Sequence, residues 1–161
     1  MRGGSLAPAL LFTALGLALA FAPRRVWVPS LIALVAAMSL MALASPPRNW
    51  LEGIFLLCWL SVAITAAAVH LRHGLRLWEA LLLSFNAGAW ACAVIALSAS
   101  PIDLLRAAPW ALIFLPASWL IRRGGGIAIK VVSSWVIAVA ILAGTLQLLP
   151  VTPGYLPDHL D

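Results

Sequence analysis

The sequence predicts an all-α integral membrane protein, a polytopic bundle of six transmembrane helices with short loops. Three observations carry that expectation. First, the 161 residues are 64% hydrophobic and 9% charged, whereas soluble domains average about 45–50% and about 25%. Second, the apolar residues fall into six runs, each near the roughly 20 residues that cross about 30 Å of hydrocarbon. Third, the connections between runs are short and carry proline, glycine and arginine, so residues 1–161 read as a single transmembrane domain. A cytosolic enzyme, a disordered segment and a disulfide-rich secreted domain are all excluded by this composition.

The first run, Leu6–Ala22, follows Arg2 and has the outline of a signal peptide. Pro23 would stand directly after the cut, a poor position for cleavage, so an uncleaved first helix is expected. The second run, Trp27–Ser45, begins after Pro23, Arg24 and Arg25 and stops before Pro46, Pro47, Arg48 and Asn49. The third, Trp50–Leu71, ends at Arg72, His73 and Gly74. The fourth, Leu77–Ala99, ends at Ser100, Pro101, Ile102 and Asp103. The fifth, Leu104–Ile121, contains Pro109 and Pro116, so a kinked helix is expected, its freed carbonyls satisfied by neighbours. After the turn Arg122–Gly126, the sixth run, Ile127–Leu149, leads into the tail 150–161.

Orientation follows from the cations. Arg24, Arg25, Arg72, Arg76, Arg122, Arg123 and Lys130 cluster at the first, third and fifth connections, while Arg2, Arg48 and Arg106 occupy the opposite side. Seven against three is a positive-inside bias, which places the basic turns in the cytosol and both termini in the periplasm of a bacterial inner membrane. Six of the eight tryptophans fall at run ends: Trp27, Trp78, Trp119 and Trp135 on the basic side, Trp50 and Trp110 on the other. That is the belt expected where an amphipathic ring sits among headgroups. The net charge of +5 thus reads as topology rather than as a nucleic-acid surface.

Chemistry is sparse. No Asp, Glu, Lys or Arg lies in the interior of a run, which argues against a pump or proton relay acting alone. Asn86 is the one amide well inside a run, and an interhelical hydrogen bond is its expected fate, with contact to a transported solute as the alternative. Ser84, Gly88 and Cys92 form a small-residue stripe at spacing four, as do Ser61 with Thr65 and Ala140 with Gly144. Such stripes let helix backbones approach closely. Trp59 and Trp90 are expected to pack mid-run against small residues. His70, His73 and Glu79 are too few and too close to the surface for a zinc site. Cys58 and Cys92 read as small buried hydrophobes. The Gly124–Gly126 turn lacks the Gly-Lys-Ser/Thr ending of a phosphate-cradling loop.

No catalytic, cofactor or metal site is expected, and no nucleophile or acid–base pair supports an enzyme. The favoured reading is a non-catalytic subunit, with an assembly or scaffold role, in a larger inner-membrane complex. Its expected partners are other integral membrane proteins, with no nucleic acid. Ser84, Asn86, Gly88 and Trp90 are the candidates for helix packing or for lining a path. The seven cations of the basic side are the candidates for contact with anionic phospholipids or an acidic partner. The alternative is a small oligomeric transporter or lipid-handling carrier.

Overall fold

The computed structural model describes residues 6–44, 50–71, 74–98 and 106–148. Arg2, Arg48 and Arg72, the connections 46–49 and 100–103 and the tail 150–161 lie outside the described residues. Within them the chain is helical and no strand occurs. We number the helices α1 (Leu6–Leu19), α2 (Arg24–Ala44), α3 (Leu51–Ala67), α4 (Leu77–Ser98), α5 (Phe114–Arg122) and α6 (Gly126–Leu148). A 3₁₀ turn, Ala68–His70, extends α3, and a 3₁₀ segment, Ala108–Ile113, leads into α5.

The expectation of six membrane-length spans holds for four. Arg24–Leu43, Leu51–His70, Leu77–Leu97 and Gly126–Leu148 are long and apolar enough to cross a bilayer. The first run falls short because α1 has 14 residues, about 21 Å at 1.5 Å per residue, against roughly 30 Å of hydrocarbon. Its apolar sequence continues into a turn, where Ala20, Phe21 and Ala22 donate N–H bonds to the carbonyls of Gly16, Ala18 and Leu19 at 3.1, 3.2 and 3.0 Å. Pro23, which has no N–H and disfavours a helical residue before it, closes that turn. The fifth run, expected as one kinked helix, is a 3₁₀ segment over Ala108–Ile113 that continues directly into α5, with Pro109 at the start of the 3₁₀ segment and Pro116 in the first turn of α5.

The four long helices pack side by side in the order α2, α4, α3, α6. Across the α3–α4 seam lies α1, and the 3₁₀ segment and α5 cover its other side. Apolar all round, α1 buries Leu11, Phe12, Leu15 and Leu19 completely, so a helix of only 14 residues forms the centre of the core. Gly16 makes this possible: a Cβ there would stand 2.8 Å from the Ala111 carbonyl oxygen and 2.4 Å from the Ile113 Cγ2.

The basic turns are built by local capping. α5 ends in a Schellman motif, in which Gly125 N–H bonds the Leu120 carbonyl at 2.9 Å and Gly124 N–H bonds that of Ile121 at 3.0 Å. Gly124 takes φ +88°, a left-handed conformation that only glycine adopts cheaply. α4 opens with half a capping box, Arg76 N–H donating to Glu79 Oε2 at 2.9 Å. The three basic turns meet at one end of the bundle. Gly74 lies against the Phe21 carbonyl, and residues 20–27 share a cavity with residues 118–122.

Candidate functional site

The polar side chains named from sequence gather at two seams. At the α3–α4 seam Asn86 donates from Nδ2 to Ser61 Oγ, and Trp90 Nε1 donates to Asn86 Oδ1 at 3.0 Å. The Trp90–Asn86 pair is one helical turn apart on α4, while the Asn86–Ser61 bond joins α4 to α3. One turn along α3, Ser133 of α6 donates to the Ala66 carbonyl at 2.6 Å, binding α6 to α3. Side-chain hydrogen bonds thus tie α4 to α3 and, separately, α6 to α3.

At the α2–α4 seam Ser84, Gly88 and Cys92 are all buried. Gly88 is the closest approach, beside the Leu34 carbonyl and Ala37 of α2. Since α2 and α4 both start at the basic end, they run parallel, and Ser30 and Ser84 stand one turn below Leu34 and Gly88 respectively. Both serines are buried, and their hydroxyls have no partner among the described residues; the same holds for Thr65 Oγ1 and Trp59 Nε1 on α3. Trp59 is buried against α6, where its Cβ lies 3.6 Å from the position a Gly144 Cβ would take.

The cations of the basic end differ in what holds them. The Arg123 guanidinium stacks 4.0 Å from the Trp119 ring centroid, and that of Arg24 lies 5.9 Å from that of Trp27. Arg25, Arg76, Arg122 and Lys130 are exposed. Arg122 and Arg123 end α5, where cations favour the negative pole of the helix. His70 Nε2 lies 3.4 Å from Ser134 Oγ, linking α3 to α6 at the same end, and Glu79 serves as the α4 cap.

Sequence reasoning missed Ser133 and the capping role of Glu79. A signal for the second was present, because an acid three residues into a helix is the usual partner of the cap N–H. Ser133 gave no comparable signal, since a serine in an apolar helix has many possible acceptors. Comparison with known protein families, curated proteins and solved structures finds no match to this chain.

Proposed function

We propose that the chain is a non-catalytic integral subunit, with an assembly or scaffold role, of a larger bacterial inner-membrane complex. In this reading it crosses the membrane six times, with the basic turns in the cytosol and both termini in the periplasm. The observation that carries the reading is the uneven burial of the long helices. In α2 and α6, at the two edges of the layer, 22% of the most apolar window is buried, against 50% in α3 and α4. The edges therefore present long apolar faces, including Val28, Ile32 and Val35 on α2 and Trp135, Leu142 and Leu146 on α6. Lipid covers such faces, and so do the helices of neighbouring membrane proteins.

The bundle's own polar groups support the same reading. Asn86, Ser61, Trp90 and Ser133 bond to one another or to backbone, which holds helices together rather than presenting donors to a solute. Six crossings are supported by connectivity. Three basic turns at one end require α2 to leave it, α3 to return, α4 to leave, the 108–122 segment to return and α6 to leave. With α1 entering from the far end, the count is even. Six helices also put the arginine-rich turns on the side where cations orient a chain.

The test is gentle detergent extraction of the native membrane followed by identification of what co-migrates with the chain. Other integral proteins in fixed stoichiometry are expected. A lone homo-oligomer, or a solute transport activity abolished by Asn86→Leu without loss of assembly, would overturn the reading in favour of a small transporter.

A further inference from the structure

Between the α1–α2 turn and α5 lies a cavity of about 210 Å³, open to the surface, at the basic end of the bundle. Ala20, Ala22, Pro23 and Ile121 supply apolar lining, and two arginines, Arg24 at the start of α2 and Arg122 at the end of α5, line it from different elements. Trp27 completes the wall and is held in place twice. Its Nε1 donates to the Leu19 carbonyl at 3.0 Å, and its ring meets Phe114 edge-on at 4.8 Å between centroids. Ser118 also lines the cavity, but its hydroxyl proton is engaged by the Leu115 carbonyl at 2.9 Å. The side-chain donors left to a guest are therefore those of the two arginines. Among the described residues neither arginine pairs with a carboxylate.

We infer that this cavity binds a phosphate group, supplied by the headgroup of an anionic phospholipid. Guanidinium presents a planar fork of donors that matches phosphate oxygens two at a time, and two forks from different elements suit a tetrahedral anion. Size agrees, because pockets for drug-sized ligands run about 300–1,000 Å³ and this one is smaller, with room for a headgroup phosphate. The apolar lining residues and Trp27 suit the glycerol and first acyl carbons. The first turn of α2 begins at Arg24, so its positive pole adds to the field. The inference needs the basic end to lie at headgroup level, but it does not depend on the chain being a subunit of a complex.

The test uses the full-length chain in vesicles of phosphatidylglycerol, in vesicles of phosphatidylcholine, and in the latter with millimolar inorganic phosphate. Arginine modification by phenylglyoxal is mapped residue by residue. Phosphatidylglycerol is expected to slow modification of Arg24 and Arg122 about ten-fold relative to Arg25 and Arg123, and phosphatidylcholine alone is not. Equal protection by inorganic phosphate would confirm the phosphate site and assign it to a free rather than a lipid-borne ligand. Uniform protection of all four arginines, or none, would overturn the inference, and equal protection in the two lipids without added inorganic phosphate would overturn its assignment to an anionic phospholipid. As a second measurement, lipid retention in native mass spectrometry is expected to weaken about ten-fold in Arg24→Gln/Arg122→Gln. The control Arg25→Gln/Arg123→Gln removes the same charge outside the cavity and is expected to retain the lipid; equal loss in both would contradict the site.

Discussion

Gly88 of α4 lies so close to Leu34 of α2 that a Cβ on the glycine would stand 2.5 Å from the leucine carbonyl oxygen. The obstacle is backbone, so relief requires the two helices to separate. Gly88→Ala is therefore expected to destabilise the protein by about 1–3 kcal/mol, the usual cost of overpacking. Gly144 is the internal comparison, because a Cβ there would meet Trp59 at an ordinary 3.6 Å. Gly144→Ala is expected to be neutral or slightly stabilising. Unfolding of both variants in mixed micelles against a denaturing detergent checks the contrast.

Asn86 makes two side-chain hydrogen bonds, one of them across the α3–α4 seam, and hydrogen bonds between membrane helices average only about 0.6 kcal/mol. Asn86→Leu is accordingly expected to cost about 1–2 kcal/mol, since it also strands the Trp90 Nε1 proton. A double-mutant cycle of Asn86→Leu with Ser61→Ala separates the terms. A coupling of roughly 0.6 kcal/mol is expected, and a coupling of zero would mean that the α3–α4 bond contributes nothing to stability.

The core position of α1 makes a sharper expectation. Phe12 is fully buried while Leu142 on α6 is 61% exposed, although both belong to apolar helices. Phe12→Ala is expected to cost on the order of 2 kcal/mol or more through the cavity it leaves, and Leu142→Ala less than about 0.5 kcal/mol. The same unfolding measurement reads both, and equal effects would mean that α1 is not the centre of the bundle.

At the α5–α6 turn, Gly124 and Gly126 both have open space around them, but only Gly124 has a positive φ. Gly124→Ala is expected to cost about 1 kcal/mol from the left-handed backbone alone, and Gly126→Ala is expected to cost nothing. Thermal unfolding in detergent distinguishes the two.

How much of this was legible in the sequence depends on the element. Hydropathy located all six helices, and the ends of α4 and α6 fall within a residue of the expected Leu77–Ala99 and Ile127–Leu149. The end of α1 was hidden because Ala20 and Ala22 are buried, so an apolar turn reads like more helix. The 3₁₀ form of Ala108–Ile113 was hidden for a related reason: composition reports apolarity, not whether a turn closes on the third or the fourth residue. The stripe at Ser84, Gly88 and Cys92 marked a surface for close approach, but nothing in it names α2 as the neighbour. The arginines were legible one by one. That Arg24 and Arg122 share a cavity depends on α5 returning beside the first turn, which no local pattern encodes.

The central claim is that the arginine-rich end of a six-crossing bundle faces the cytosol, and its most direct test is side-specific cysteine labelling in intact cells. With Cys58 and Cys92 replaced by alanine, single cysteines at Asn49, Arg123 and His159 would be challenged with a membrane-impermeant maleimide before and after lysis. Labelling of Asn49→Cys and His159→Cys in intact cells, with Arg123→Cys reacting only after lysis, is the result expected. Labelling of Arg123→Cys from outside, or Asn49→Cys and His159→Cys on opposite sides, would contradict it.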